Sequence, residues 1–314
     1  MALATKYPQQ TRLTRIGGTG RSLVGAQRLR YSDHVLTTDA GDHLWAVVQE
    51  TCDLSDPEDG FLLDTVTAIR LAYGEQELRD IAENSGLVTP PVPADGVVGS
   101  FRLDDLLSAF RASLPDPAGE GAKPAHLTNY RSETAELVAR AALAVVYRMA
   151  TPPTLHATKG NRNQPILGFD GWSIMRLDDG RSALVLIQVK GSEDTKRPPG
   201  VAGQLVTECG QAMVANAKLS GFLSACLLRC RGTEFEIPLL EMIVELHTTG
   251  MIVSTFLAPV VVRGALEAHL DDLSSLRAAT NSFLHAKARG MTISIGADLT
   301  NFGLTAMNRA RQND

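Results

Sequence analysis

The sequence predicts an α/β (α+β) fold in which a mixed sheet is flanked by helices, with a further α-rich region at the N-terminal end. Three observations carry this. Residues 132–149 form the strongest helical pattern in the chain. Two strand-like runs, 166–177 and 183–190, follow it around the tight-turn signal Asp178-Asp179-Gly180. The second run, ALVLI, is apolar without alternation, the mark of a strand buried on both faces. Helix, strand, strand, helix, strand is then the order of the second half, and that order packs about a mixed sheet.

The elements follow in chain order. Residues 1–30 carry arginine without acid and include Gly17-Gly18-Thr19-Gly20-Arg21-Ser22. That string lacks the lysine and spacing of a phosphate-binding loop, so a glycine-rich arm is expected. Residues 43–49 (with LWAVV) read as a strand. Residues 61–72 place Leu62, Val66, Ile69 and Leu71 at helical spacing, and 75–84 read as a second helix closed by Gly86. Pro90, Pro91 and Pro93 punctuate a loop, and 103–114 form a short amphipathic helix. PDPAGEGAKPAH, 115–126, is a linker by composition. It sets the expected division: an accessory or recognition region, 1–125, and a second domain, 126–314.

In the second region Ser132 is the expected N-cap, with Glu133 and Glu136 near the positive end of the helix dipole. Pro152-Pro153 stop that helix, and a basic loop with His156, Lys159 and Arg162 follows. Beyond the two strands, 192–200 is a polar loop. Residues 204–219 read as a helix stopped by Gly221, and 222–228 as another strand. Residues 236–246 and 251–262 are apolar segments of open type. Residues 266–288 read as a long amphipathic helix ended by Gly290, with Leu266, Leu270, Leu273, Leu276 and Phe283 as a packing stripe.

Composition narrows the function classes. Thirty basic against 35 acidic residues give a net charge of −5, which argues against sequence-blind coating of nucleic acid. A nuclease stays open, because a local basic patch and a bound metal can do the electrostatic work. No apolar run approaches the roughly 20 residues that span a bilayer. MALATKYPQQ has no signal-peptide core, so no membrane association and a cytoplasmic location are expected. Cys52, Cys209, Cys226 and Cys230 show no CxxC pairing and read as buried reduced thiols.

The informative pair is Asp170, in Gly168-Phe169-Asp170-Gly171, and Gln188-Val189-Lys190 on the following strand. A hairpin between them brings one carboxylate, one amide oxygen and one ammonium together. Phosphodiester hydrolysis needs a positioned water, charge relief at phosphorus and help for the leaving oxygen, and a hard cation with oxygen ligands supplies much of this. Asp170 is the natural metal ligand, with the Gln188 side-chain oxygen or the Val189 carbonyl beside it. Lys190 faces the attacking water or the pentavalent phosphorus. Glu133 or Glu136 offers a second carboxylate from the preceding helix. Gln204 and Glu208, four apart, line the pocket from the following one.

A helix with Glu, then GFDG, then a strand ending QVK, then a helix with GQL, resembles the PD-(D/E)XK nuclease superfamily. The glutamine form is similar to its Mrr-like restriction branch with a D…QxK motif. The resemblance covers about residues 130–230. It implies a restriction-endonuclease-like core and cleavage of DNA with Mg²⁺ or Mn²⁺. Asp170 maps to the motif Asp, Gln188 to the acid or amide position and Lys190 to the motif Lys. It also implies defence against foreign DNA as the setting, a homodimer that cuts both strands and a helicase or ATPase as a further partner. Lys159, Arg162, Lys196 and Arg197 flank the site in loops and, with Gln204, are the residues expected to contact DNA. The neutral Gln188 and the acidic balance favour a rival of another class: a non-catalytic DNA- or protein-binding subunit that keeps the fold.

Overall fold

In chain order the strands are β1 (Arg30–Thr38), β2 (Gly41–Gln49), β3 (Met149–Ala150), β4 (Gly171–Arg176), β5 (Ser182–Ser192), β6 (Thr255–Arg263) and β7 (Lys287–Ser294). They form one sheet in the order β1-β2-β7-β6-β5-β4-β3. Its centre, β2, β7, β6 and β5, is parallel, while β1, β4 and β3 run antiparallel to their neighbours. The computed structural model describes residues 30–38, 41–85, 102–117, 130–152, 169–212, 216–250, 254–279, 283 and 286–313.

The helices are α1 (Gly60–Tyr73), α2 (Glu75–Ser85), α3 (Leu103–Ser113), α4 (Tyr130–Val146), α5 (Val201–Ala212), α6 (Asn216–Arg229), α7 (Glu236–Thr249), α8 (Ser274–Ala279) and α9 (Leu299–Ala310). One core packs α1, α4 and α9 on one sheet face, through residues such as Ile69, Ala139, Leu143 and Phe302 against Val185, Ile187 and Val260. The other packs α5, α6, α7 and α8 on the opposite face, against Leu184, Leu186 and Leu257. Alternate residues of β5 therefore feed both cores, which is why its sequence reads as unbroken apolar. β6 is buried along its whole length.

The predicted order of the second half is present in α4, β4, β5 and α5, and α1, α2 and α3 lie where periodicity put them. Ser132 lies inside the first turn of α4, which begins at Tyr130, rather than at its N-cap. Three further readings need correction. Residues 222–228 are helical, inside α6: buried Phe222, Leu223, Cys226 and Cys230 recur at helical spacing, and Gly221 lies within the helix. Residues 266–288 hold no single long helix. A 3-10 turn (Leu270–Leu273) capped by the His269 side chain leads into the short α8, and β7 has begun by Lys287. The stripe does pack inward, with Leu273, Leu276 and Phe283 fully buried.

The third concerns the division at 125. Strands from both sides of the linker share the sheet, and Val66 and Ile69 share a core with Leu143 and Leu299. Arg70 of α1 donates to the Ala310 carbonyl (3.2 Å) and the Gln312 carbonyl (2.7 Å). Composition marks a linker, but says nothing about whether the pieces it joins share a core. Of the arm expected over 1–30, residues 1–29 lie outside the described residues and Arg30 opens β1.

Gly290 stands mid-strand rather than at a helix end. It pairs with Trp45 across β2 and β7, and a Cβ there would sit 2.0 Å from the indole ring. Trp45 is 1% exposed and has no room to yield. Gly290→Ala is expected to cost about 1–3 kcal/mol by overpacking, read as a lower urea midpoint. A wild-type midpoint would mean that the indole moves freely.

Candidate active site

The hairpin turn forms as its sequence requires. Gly180 takes φ +82°, and its N–H reaches the Leu177 carbonyl at 2.9 Å. β4 and β5 then pair from Arg176 opposite Ser182 up to Gly171 opposite Ile187. Asp170 sits one residue beyond that ladder. Its N–H donates to the Ile187 carbonyl (3.0 Å), and its Oδ2 accepts the Val189 N–H (2.7 Å). The carboxylate is thus pinned to the strand that carries Gln188 and Lys190. The part of Val189 seen in the site is its amide, which holds Asp170.

Gln188 and Lys190 are two apart on β5 and share the face that carries Leu184 and Leu186. That face meets α5, where Leu205 and Cys209 pack into the core. Gln204 and Glu208 lie one turn apart on α5. Gln188 Nε2 donates to Glu208 Oε2 (2.7 Å), Lys190 Nζ lies 2.9 Å from the same oxygen, and Gln204 Nε2 donates to Glu208 Oε1 (2.7 Å). Gln204 is therefore turned to Glu208, although the sequence put it among the DNA contacts. The Gln188 residue is 4% exposed, whereas the Lys190 and Glu208 side chains are 24% and 26% exposed and form the mouth of the site.

One atom stands out. Glu208 can only accept, so it fixes which end of the Gln188 amide faces it. The amide oxygen, Oε1, is left buried with no hydrogen-bond partner among the described residues. An unmet buried acceptor costs about 1–3 kcal/mol. A cation or water against it removes that cost, so the residues present fit a hard cation taken up by Asp170 and the amide oxygen.

The two acids of α4 are placed differently. α4 crosses the opposite face of β5, where Ala135, Val138 and Ala139 share a core with Ile187 and Val189. Glu133 Oε2 accepts the Tyr73 hydroxyl of α1 (2.8 Å). Glu136 lies one turn before Arg140, whose stem packs 3.7 Å from where a Cβ on Gly171 would be. Burial lowers the Arg140 guanidinium to about 10, and the Glu136 charge opposes that shift. Of the two, Glu136 is on the side of α4 that reaches the start of β4. The acid in contact with Gln188 and Lys190 is Glu208. The only sequence signal for its role is its spacing from Gln204.

Of the expected DNA contacts, Lys196 and Arg197 are exposed on the loop after β5, and Arg197 donates to the Glu267 carbonyl (3.1 Å). Buried Arg263 of β6 anchors that loop through the Asp194 and Lys196 carbonyls. Asp194 accepts the Lys196 and Gly200 N–H groups, which hold its carboxyl below the usual range. Lys159 and Arg162 lie outside the described residues.

All four cysteines are free and buried. Burial pushes the Cys209 thiol up to about 12; the Glu208 and Asp170 charges add to the shift and Lys190 opposes it. Cys52 and Cys226 rise to about 12 as well, mainly through burial. These folded values lie above the unfolded one, so the stability they carry is full below about pH 9 and falls as pH climbs toward 12. The urea midpoint is accordingly expected to be lower at pH 10 than at pH 8. Equal midpoints would contradict this reading of the thiols.

Among the described residues no three His, Cys, Asp or Glu side chains form a cluster able to hold a metal, and no helix is long and apolar enough to cross a membrane. No protein-family model and no curated protein sequence matches the chain.

Proposed function

We propose that the chain is a metal-dependent nuclease that hydrolyses DNA phosphodiester bonds, with Asp170, Gln188 and Lys190 at its centre. The observation that carries this is the buried, partnerless amide oxygen of Gln188, on a strand that also pins the Asp170 carboxylate and carries the partly exposed Lys190. A core with α4 on one face of the hairpin and α5 on the other supports the restriction-endonuclease-like reading. The placement at the carboxyl ends of parallel strands is also where α/β sheets bind ligands.

In this reading Asp170 and Gln188 Oε1 hold Mg²⁺ or Mn²⁺. When bound, such a cation supplies charge relief at the phosphorus and makes water more acidic. Val189 keeps the Asp170 carboxylate turned toward the site. Lys190, at the mouth, orients the attacking water or meets the negative charge that grows on the phosphoryl oxygens. Lys196 and Arg197 carry the phosphate backbone past the site. Two such sites cut both strands in a single encounter, so the proposal includes a homodimer. Defence against foreign DNA is the setting it suits.

The test is conversion of supercoiled plasmid to open-circular and linear forms. Cleavage is expected with Mg²⁺ or Mn²⁺, is lost with EDTA, and falls by about 10²-fold in Lys190→Ala. Cleavage unchanged in both Lys190→Ala and Asp170→Ala would sink the site. Absence of both metal binding and cleavage of any DNA or RNA would leave the rival, a non-catalytic binding subunit.

A further inference from the structure

We infer that Glu208 on α5 is the second charged ligand of the cation site, doing from a helix what Gln188 does not do from its strand. The inference rests on the cation site proposed above. With Asp170 and Gln188 alone, one negative charge faces the positive charge of Lys190, and the site has no net pull on a divalent ion. Glu208 brings the three charged groups to a net negative charge.

The contacts of Glu208 give it this role rather than a purely structural one. Its Oε2 is shared by Gln188 Nε2 at 2.7 Å and Lys190 Nζ at 2.9 Å. It sits at the mouth, about a quarter exposed, where an ion can reach it. It also sets the Gln188 amide with its oxygen buried and partnerless, so the same carboxylate prepares one ligand and offers another. Asp170 is held at the same end of β5, through the Val189 N–H that lies between Gln188 and Lys190 in the strand.

One consequence is competition. Lys190 holds the oxygen that a cation would take, so cation uptake and the Lys190–Glu208 ion pair exclude each other. Uptake then releases the Lys190 ammonium toward the mouth, where a phosphodiester enters. Removing the ammonium should tighten cation binding, whereas removing the Glu208 charge should weaken it. A purely structural Glu208 predicts no such opposition of sign.

The experiment is calorimetric titration of the full chain with Mn²⁺. Glu208→Gln keeps the shape and is expected to bind at least about tenfold more weakly than wild type. Moving the acid back to the strand, in Gln188→Glu with Glu208→Gln, is expected to restore binding to within about threefold of wild type. Lys190→Met is expected to bind several-fold more tightly. Wild-type affinity in Glu208→Gln would overturn the inference and leave the Asp170 site standing. Failure of the double variant to recover would overturn it too, because the loss would then not be one of charge. No Mn²⁺ binding by the wild-type chain would remove the cation site itself, and Glu208 with it.

Discussion

Replacing Asp170 by alanine is expected to slow metal-dependent plasmid cleavage by about 10³-fold, about 4 kcal/mol in the barrier. The size follows from what is lost together. The carboxylate is fixed to the backbone of β5 through the Val189 N–H. Asp170→Asn separates charge from geometry. Its amide oxygen can still accept the Val189 N–H, so the fold and the urea midpoint stay close to wild type, while cleavage falls nearly as far as in the alanine variant. A large loss of stability in Asp170→Asn, or cleavage within a few-fold of wild type, would remove Asp170 from the centre of the site.

Asp272→Ala is expected to lower stability by about 3–5 kcal/mol, the largest effect of any single change proposed for the fold. Asp272 and Arg263 are both fully buried, 3.8 Å apart from Oδ2 to Nε. Asp272 Oδ2 also accepts the His269 N–H (3.0 Å) and the Thr292 hydroxyl (3.3 Å). Alanine strands the guanidinium in the core without its counter-charge and leaves the His269 N–H, half of the capping box of the 3-10 turn, without its acceptor. Replacing both partners by apolar residues of similar volume, Asp272→Leu with Arg263→Met, is expected to cost less than Asp272→Ala alone. Urea unfolding measures both. A single variant within 1 kcal/mol of wild type would contradict this account. Because Arg263 also anchors the loop that carries Lys196 and Arg197, the double variant should weaken DNA binding even where it folds.

The parts legible in the sequence were those whose cause is local. The α4 pattern, the Asp178-Asp179-Gly180 turn and the apolar run of β5 fix a hairpin within a short stretch, and Asp170, Gln188 and Lys190 come together through its register. What failed depended on distant neighbours. Gly290 reads as a helix stop until Trp45 is seen lying against it, and Gly221 reads the same way although α6 runs through it. The linker at 115–126 looks like a boundary until β2 is found beside β7. Glu208 was one of two pocket residues by spacing, and its place between Gln188 and Lys190 depends on how α5 packs on the sheet. Arg263 and Asp272 carry no mark in the sequence, since a buried ion pair looks like any two surface charges until both are found inside.

The central claim is that Asp170, Gln188 and Lys190 form a cation site for phosphodiester hydrolysis. It is tested most directly by following single-turnover cleavage of supercoiled plasmid as Mg²⁺ is raised, for the wild-type chain and Asp170→Ala side by side. A wild-type rate that rises and saturates with Mg²⁺, against a flat baseline for the variant, is the predicted result. Cleavage in both proteins with the same Mg²⁺ dependence, or in neither, would contradict it.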